Sequence, residues 1–481
     1  MNGLNLFIIV LIICPALIAL GIPVIRGKKV SRLPENADNE REERYARKLS
    51  EMIRCDTVSG IRHDEEERQK FVRFHEVLRE LFPYVFTQLE VIDLEGSLLI
   101  FWKGRSNDRP ILLMSHQDVA AVSGEWRFDP FSGKIAEGKV WGRGACDTKC
   151  SLMGFLEAAE ELLEEGYVPD QDVYLGGSCT EEVGGGGAPR IVAELKRRGV
   201  KLFMVCDEGG GIQDEPMPGI HSPIAMIGIQ EKGTADVTLS FSGPGGHAHT
   251  PPKHDPVSET SAFIVSMKKR PPFRSRLTPS VRQMLKKLAP YADLPVRVVL
   301  SNLWLFGPII SRFTPKISPD AASMLQTTCA FTRLKGSKAY NVIPTKVTVG
   351  ANMRFIPHQS MEESLKALEK RAAKYGLTID EVHGNDCTKA ADLSGEAFGL
   401  LEGALHETFP ELGFAPYLLT GATDARFFDE ICSDVFRFAP VEYGPEQKKG
   451  IHGVDENLQT RCLPGCVDFY KNLIRQNSGK V

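Results

Sequence analysis

The sequence predicts an α/β protein in which a mostly parallel sheet carries helices on both faces, with an inserted α+β domain and an N-terminal hydrophobic helix. Apolar runs alternate with helix-period segments from Pro110 to Cys206, which is typical of a parallel sheet. Period-two strands follow from Gly233 onward, and a run without charge lies near the start of the chain. The length of 481 residues allows two or three domains.

Composition and charge narrow the class of protein. Hydrophobic residues make up 42% of the chain and charged residues 25%, which is ordinary for a globular protein. The net charge is only -4, whereas phosphate binding needs a clustered excess of Lys and Arg. We therefore expect no nucleic-acid partner.

Residues 1–30 are predicted to be a single-pass membrane anchor or an uncleaved signal segment. Leu6 to Ile25 carries no charge, and a helix of that length spans about 30 Å of hydrocarbon. A removable signal peptide is the alternative, although the segment lacks a basic start and a clear cleavage site. The basic residues that follow, Arg26, Lys28, Lys29 and Arg32, favour a cytoplasmic position for the rest of the protein.

The main domain is predicted in two parts, residues 40–232 and 391–481. The first part contains the strand segments PILLM, DVYLGGS and KLFMVC, with helices over about 149–165 and 189–198. The second part contains the polar clusters GATDARFF and IHGVDE. In sheets of this kind ligands bind beyond the carboxyl ends of the strands, so those ends are the expected site.

Residues 233–390 are predicted to be a separate inserted α+β domain. TADVTLSFSG and KVTVGANMRF alternate as strands do, and helical patterns occupy about 257–269 and 360–375. The stretch 270–335, rich in Pro, Arg and Leu, shows no clear pattern.

Polar side chains follow each predicted strand of the first part. His116 and Asp118 follow PILLM, Glu181 and Glu182 follow DVYLGGS, and Asp207 and Glu208 follow KLFMVC. Asp147 lies in the turn before the helix predicted at 149. Taken alone, the Glu pair is more simply an acidic helix cap, but the convergence of several such groups favours a shared site.

Imidazole and carboxylate side chains together suit a pair of divalent metal ions, most simply Zn²⁺, with Co²⁺ or Mn²⁺ as alternatives. The candidate ligands are His116, Asp147, Glu182, Asp207 and His452. A carboxylate such as Asp147 can bridge two metals, and paired ions lie roughly 3.5 to 4 Å apart and lower the pKa of bound water to about 7. The sequence therefore predicts metal-assisted hydrolysis.

Two further carboxylates have predicted roles in that chemistry. Asp118 is spaced to accept a hydrogen bond from the non-ligating nitrogen of His116, which would fix the imidazole tautomer. Glu181 is left free to act as general base and then as general acid. No H-E-x-x-H helix or P-loop competes with this interpretation.

A series of motifs, in order along the chain, resembles the dinuclear zinc aminoacylases and exopeptidases, a family that includes acetylornithine deacetylase, succinyl-diaminopimelate desuccinylase and glutamate carboxypeptidases. The resemblance covers about residues 45–475. The motifs are SHQDV, GRGACDTK, TEEVGGGGA, CDEGG, SGPGGHAHTPP, NVIP, NMRFIP, GATDAR and HGVDE.

The resemblance implies a division of the ligands between two metals. His116 and Asp207 hold one metal and Glu182 and His452 the other, while Asp147 bridges them. Glu208 is the alternative to Asp207, because other branches of the family use Glu at this metal.

The resemblance also implies that the inserted domain is a lid that mediates homodimerisation. In that arrangement His247 reaches a neighbouring active site to stabilise the oxyanion. Asn341 and Arg354 contact the substrate, with Arg354 pairing with its carboxylate. Ala248-His249 stands where many members of the family have Ser-Ser, and His249 is expected to be a surface residue.

Within the family, SNLWLFGPIISRF (301–313) and PIAMIGIQEKG resemble the N-fatty-acyl-amino-acid synthase/hydrolase subgroup. This implies reversible, metal-dependent hydrolysis of the amide between an acyl group and an amino acid. A dipeptidase or carboxypeptidase acting on short peptides is the alternative. A membrane-tethered binding protein without metals is a third hypothesis, disfavoured because every predicted ligand is present.

Overall fold

The computed structural model describes residues 23–28, 38–60 and 65–478. The α-helices of this part are α1 (Asn39–Ile53), α2 (Glu65–Leu81), α3 (Pro83–Gln88), α4 (Lys149–Glu164), α5 (Gly187–Arg197), α6 (Pro256–Lys269), α7 (Pro279–Leu288), α8 (Leu294–Ser301), α9 (Leu303–Phe313), α10 (Pro319–Leu325), α11 (Met361–Ala372), α12 (Glu396–Thr408), α13 (Pro445–Gly450) and α14 (Leu463–Gln476).

The strands are β1 (Glu90–Leu94), β2 (Ser97–Trp102), β3 (Ser106–His116), β4 (Lys134–Ala136), β5 (Lys139–Trp141), β6 (Gln171–Ser178), β7 (Met204–Asp207), β8 (Gly211–Gln213), β9 (Ile224–Glu231), β10 (Gly233–Ser242), β11 (Gly246–His247), β12 (Thr328–Lys335), β13 (Val342–Ile343), β14 (Lys346–Phe355), β15 (Leu377–Asn385), β16 (Gly413–Leu419), β17 (Val435–Arg437), β18 (Glu442–Tyr443) and β19 (Asn457–Gln459). The predicted helices and strands around the site are confirmed to within a few residues.

The largest sheet has ten strands and is mixed. Its order is β1-β2-β6-β3-β7-β17-β9-β8-β18, with β16 also paired to β9. The central run β6-β3-β7-β17 is parallel, whereas β1-β2, β2-β6, β17-β9 and β8-β9 are antiparallel. Beyond this run, β16 pairs with β9 and β18 with β8 in parallel. Five of the nine strand pairs are thus parallel, which agrees with the prediction of a mostly parallel sheet, and the four antiparallel pairs were not predicted.

Helices cover both faces of this sheet. Along β3, Ile111 and Leu113 face a core shared with α4 and α14, whereas Leu112 and Met114 face a core shared with α5. All four side chains are fully buried. This two-sided burial explains why the strand is a continuous apolar run rather than an alternating one.

The middle of the chain forms a second, antiparallel sheet with the order β12-β14-β10-β15. Burial alternates strictly along β14, as expected when one face is covered and the other is open. The covered face packs against α6 and α11 through Phe263, Met267 and Leu368. Asp255 caps α6 by accepting hydrogen bonds from Val257 and Ser258.

The stretch that showed no clear pattern, 270–335, contains four short helices, α7 to α10. Val281, Met284 and Leu288 of α7 share a core with Ile224 and Leu418 of the ten-stranded sheet. The segment of α7 to α10 therefore packs beside the main sheet, although it lies in the chain between two strands of the second sheet, β10 and β12. The four helices have only 7 to 11 residues each, and Pro308 lies inside α9, so each shows few turns of the helical period that sequence analysis relies on.

Most of the predicted anchor, Leu6–Ile25, lies outside the described residues, and its helical structure stays a prediction. Within the described part, every individual helix is too short or too polar to qualify as a membrane span. One pair of consecutive helical segments, Leu294–Ser301 and Leu303–Lys316, is long and apolar enough when taken together but is bent by 103°.

Candidate metal centre and active site

The strand ends of the parallel run bring the predicted residues together. His116 is the last residue of β3 and pairs in register with Ser178, the last residue of β6. The loop after β6 carries Glu181 and Glu182, and Asp207 ends β7 on the other side of β3. The site thus lies beyond the carboxyl ends of these strands, where the sequence placed it.

Four of the five predicted ligands are in mutual contact. His116 Nε2 lies 3.0 Å from one carboxylate oxygen of Asp147, and His452 Nε2 lies 3.0 Å from the other. His452 Nε2 also lies 3.1 Å from Glu182 Oε2. Single ligand atoms of His116, Asp147 and Glu182 all lie within 4.8 Å of one another. Asp147 therefore offers one oxygen to each imidazole, the arrangement expected of a bridging carboxylate.

The carboxylates around His116 and His452 stabilise positive charge on both imidazole rings. Burial opposes protonation of His116, but the hydrogen bond and charge of Asp147 outweigh it and raise the pKa of the imidazole well above its usual value. Hydrogen bonds from Asp147 and Glu182 raise the pKa of His452 to about 10. The protons on these rings occupy positions that favour positive charge, which is what a divalent metal supplies.

Asp118 positions the site in a different way from the one predicted. The Nδ1 of His116 donates to the main-chain carbonyl of Asp118 at 2.8 Å, while the Asp118 carboxylate lies 3.6 Å away. That carboxylate instead accepts from the backbone N–H groups of Glu181 and Glu182, at 3.1 and 3.0 Å, and from the Ser59 hydroxyl at 2.7 Å. Asp118 therefore fixes both the imidazole tautomer and the loop that carries the two glutamates.

Glu181 is partly buried beside the cluster and is surrounded by acids. Desolvation raises the pKa of its carboxyl group well above the usual value, opposed by the charge of His116 and reinforced by Asp424, Asp147 and Asp118. A carboxyl group with a raised pKa is suited to accept a proton and return it.

Asp207 is buried but makes no hydrogen bond or ion pair with the other predicted ligands in the described chain. One of its oxygens accepts from the Glu208 backbone N–H at 2.8 Å, and the other, Oδ2, is buried without a partner. The neighbouring Glu208 carboxyl group is influenced by the charges of Asp147 and His116, in addition to desolvation, and its pKa is raised. The choice between Asp207 and Glu208 as ligand stays open.

Glu456, which sequence analysis did not single out, holds the Asp147 turn in place. Its buried carboxylate accepts from the backbone N–H groups of Cys146 and Asp147 at 2.8 and 3.0 Å. Its other oxygen pairs with Arg143 at 2.6 Å, and both side chains are fully buried. The HGVDE motif contains this residue, but the partner lies 310 positions away in the chain and gives no local signal.

Arg354 on β14 is partly buried, and its Nη1 has no hydrogen-bond partner in the described chain. Burial lowers the pKa of the guanidinium, and the nearby charge of Arg426 lowers it further. Arg426 belongs to the GATDAR motif but was not predicted as a site residue. Two guanidinium groups close together, one of them with a free buried N–H, are suited to bind a carboxylate.

His247, on the exposed strand β11, lies next to Asn341 in the turn that precedes β13. His247 pairs with Val342 across β11 and β13, and the Ala248 N–H donates to the Asn341 carbonyl at 3.0 Å. The His247 ring contacts His249, with their Nδ1 atoms 2.7 Å apart. In the described chain, His247 makes no hydrogen bond or ion pair with the candidate ligands, and its role at the site stays a prediction.

The donor set fits divalent metal ions. Two buried carboxylate oxygens, Glu182 Oε1 and Asp207 Oδ2, have no hydrogen-bond partner in the described part, which is costly unless a ligand satisfies them. Imidazole nitrogens and carboxylate oxygens are the ligands that zinc and similar ions take in catalytic sites.

Comparison with known proteins agrees with the motifs. The human N-fatty-acyl-amino acid synthase/hydrolase is 32% identical over 456 residues, covering 93% of this chain and 90% of the human protein. A probable carboxypeptidase S-like protein of Dictyostelium discoideum is 31% identical over 440 residues, covering 89% of this chain and 84% of that protein. An M20 family metallo-carboxypeptidase from Sulfolobus solfataricus has the same fold, with a TM-score of 0.65 at 17% identity, covering 90% of this chain and 98% of that one.

The predicted family resemblance is confirmed at the level of the whole chain. The profile of Peptidase family M20/M25/M40 matches residues 112–476, which include every predicted metal ligand. The clustered ligands, the sheet that positions them and the long alignments lead to one conclusion: the chain belongs to Peptidase family M20/M25/M40.

Proposed function

We propose that this protein hydrolyses the amide bond between an acyl group and an amino acid, using two divalent metal ions, most simply Zn²⁺. The family consists of amide-bond hydrolases. The proposal of two metal ions is supported by the Asp147 carboxylate, each oxygen of which faces one imidazole. The Glu181 carboxyl group beside it has a raised pKa, as a general base needs.

The residues of this chain have separate tasks in that reaction. His116, Asp147, Glu182, His452 and either Asp207 or Glu208 would hold the ions, which when bound lower the pKa of water and neutralise charge on the substrate carbonyl. Glu181 takes a proton from the attacking water and delivers it to the leaving amine. Arg354 and Arg426 bind the carboxylate of the amino-acid part. In the synthesis direction the same steps run in reverse, with Glu181 taking the proton from the amine and returning it to the leaving water.

Cleavage of short peptides is the second candidate. It is supported by the carboxypeptidase names of the Dictyostelium and Sulfolobus relatives. A guanidinium pair can bind the carboxylate of the amino acid in either kind of substrate. The two functions therefore differ only in the group on the other side of the amide bond.

A substrate comparison separates the two functions. The purified full chain, supplied with Zn²⁺ or Co²⁺, is given N-dodecanoyl-phenylalanine, N-acetyl-phenylalanine and glycyl-phenylalanine, which release the same amino acid. We expect the highest kcat/KM for the dodecanoyl compound. A preference for glycyl-phenylalanine would favour the peptidase, and no turnover of any compound would contradict both.

The Glu181→Gln variant tests the base. It is expected to lower kcat by about 10²- to 10⁴-fold, because the amide cannot accept the proton. Metal content, measured by mass spectrometry, should be unchanged. The His116→Ala variant is the contrast and should lose both turnover and metal. Wild-type turnover in Glu181→Gln would remove this residue from the base role.

We also propose that the middle segment is a lid through which two copies dimerise, with His247 serving the partner's site. The support is the exposure of β11 and the lack of contact between His247 and its own cluster in the described chain. Mixing the inactive variants Glu181→Gln and His247→Ala under dissociating conditions should restore about a quarter of wild-type activity, because half of the dimers then hold one complete site. No recovery would contradict the shared site.

Finally, we propose that Leu6–Ile25 anchors the protein in a membrane, with the hydrolase on the cytoplasmic side. The support is the charge-free segment and the basic residues that follow it. Protease protection in spheroplasts or sealed vesicles of the expressing cell tests the side on which residues 38–478 lie.

A further inference from the structure

Helix α9 exposes an apolar stripe on the surface of the molecule. Leu305, Ile309 and Phe313 are exposed at four-residue spacing, so they lie along one face of the helix. Trp304 beside them is 71% exposed. Isolated apolar side chains are common on surfaces, but a contiguous stripe with an exposed tryptophan marks an interaction surface.

A cationic groove of about 1270 Å³ runs beside this stripe. It lies between α9, the end of α6 and the loop that follows α6. Its wall includes six exposed cations: Lys268, Lys269, Arg270, Arg276, Arg312 and Lys316. None of these side chains forms an ion pair within the described residues, although many other basic residues of the protein do. The groove therefore favours a negatively charged partner.

The chain segment that leads away from the predicted anchor lies at the start of the same helix. The Asn302 side-chain amide donates to the Pro23 carbonyl at 2.9 Å, and the Ile25 N–H donates to the Ser301 hydroxyl at 3.1 Å. Asn302 immediately precedes α9. The carboxyl end of the charge-free segment is thus fixed next to the apolar stripe.

The apolar stripe, the cationic groove and the position of Pro23 and Ile25 together favour one kind of binding partner for this surface. We propose that the stripe of α9 and the cationic groove beside it form a docking surface for a lipid bilayer with anionic headgroups. Trp and aliphatic side chains at the interface enter the acyl boundary, and Lys and Arg beside them reach the phosphates. The 103° bend between α8 and α9 suits helices that lie along a membrane surface rather than cross it. The proposal does not depend on the substrate of the hydrolase.

Depth-dependent fluorescence quenching tests the docking. The full chain is reconstituted in vesicles of phosphatidylcholine and phosphatidylglycerol at 7:3 whose acyl chains carry bromine, with unbrominated vesicles as reference. Of the four tryptophans, Trp102 and Trp141 are buried and Trp126 is partly buried, so Trp304, which is 71% exposed, should dominate the quenching. We expect bromine to quench the wild-type emission and to lose most of that effect in Trp304→Phe. Equal quenching of both proteins would overturn the proposal.

The charge requirement is tested with matched variants. Lys268→Glu/Lys269→Glu/Arg270→Glu should lose the quenching of Trp304, whereas Lys103→Glu/Lys134→Glu/Lys201→Glu, with the same net charge on exposed sites elsewhere, should keep it. Quenching that is as strong in pure phosphatidylcholine would overturn the assignment of anionic headgroups. Protection of Trp304 together with a disulfide crosslink between Trp304→Cys chains would overturn the proposal in favour of a second copy.

Discussion

At the scale of single residues, the candidate metal site depends on buried groups that are not among its predicted ligands. Asp118 uses its carbonyl for His116 and its carboxylate for the backbone of Glu181 and Glu182. Glu456 does the same for the turn that carries Asp147. These contacts satisfy the loop backbone and fix the candidate ligands in position, so that the side-chain oxygens of Asp147 and Glu182 face the imidazoles.

The ion pair between Glu456 and Arg143 gives a prediction for stability. Glu456→Gln keeps an acceptor for the Asp147 turn but leaves the fully buried Arg143 without its counter-charge. We expect the free energy of unfolding to fall by about 3 kcal/mol, measured by urea titration.

The matched control for Glu456→Gln is Glu446→Gln, which removes a carboxylate that pairs with Lys139 at 2.6 Å but is 51% exposed. The free energy of unfolding of Glu446→Gln should fall by about 1 kcal/mol or less, because solvent screens the exposed ion pair. Equal losses in the two variants would show that burial does not set the cost of breaking the Glu456 pair.

The residue scale also shows where sequence reasoning ends. His116, Asp147, Glu182 and His452 were predictable because metal-binding side chains directly follow readable strands or motifs. Glu456 and Arg426 were missed although their motifs were noted, since their role depends on partners that only the fold brings near. The hydrogen bond from His116 to the Asp118 carbonyl was missed because every residue has a main-chain carbonyl, so the residue type does not indicate which one accepts.

At the scale of elements, predictions succeeded where the hydrophobic period was long. Helix α4 and strand β14 were predicted nearly to their ends, because each keeps one period over at least ten residues. The helices α7 to α10 were not predicted, since each has only 7 to 11 residues and α9 is interrupted by Pro308. The four antiparallel pairs of the main sheet were also missed, because strand direction is set by pairing and leaves no periodic signal.

The turn after β7 gives a prediction about an element boundary. Gly210 has a φ of +73°, and a Cβ there would lie 2.4 Å from the Met226 carbonyl and 2.7 Å from that of Arg437. Gly210→Ala therefore meets fixed backbone in addition to the left-handed conformation. We expect a loss of more than about 3 kcal/mol in the free energy of unfolding, or no folded protein.

The control for this turn is Gly199→Ala. Gly199 has a φ of +71°, but nothing lies within 4 Å of its Cβ position. Gly199→Ala should lower the free energy of unfolding by only about 1 to 2 kcal/mol, because only the left-handed conformation opposes the alanine. Similar melting temperatures for the two variants would show that the turn after β7 relaxes to make room.

At the scale of the whole molecule, the second sheet joins the main sheet through two neighbouring chain crossings. The first crossing runs from β9 into β10, and the second returns after β15. They are hydrogen-bonded to each other, since the Thr388 N–H donates to the Glu231 carbonyl at 3.2 Å and the Ala391 N–H to the Ile229 carbonyl at 2.9 Å. Between the two sheets lies Lys232, which is 1% exposed.

Lys232 ties this junction to the short helices and makes the stability of the molecule depend on pH. Its ammonium donates to the Ser323 and Gln326 carbonyls at 2.8 and 2.9 Å, at the end of α10. Burial lowers its pKa to about 7. Between pH 7 and about 10.4 the unfolded chain therefore binds more protons than the folded one, so this residue makes stability rise with pH.

We expect the free energy of unfolding to rise by about 2 kcal/mol between pH 7 and pH 9 because of Lys232. At pH 9 the amine of Lys232 is deprotonated in the folded protein but still protonated in the unfolded chain. Lys232→Met should remove that increment, as measured by urea titrations at the two pH values. Lys103→Met, at an exposed lysine, should keep the wild-type increment. If Lys232→Met keeps it as well, the buried ammonium does not titrate in this range, and its two carbonyl partners stabilise its charge as well as water does.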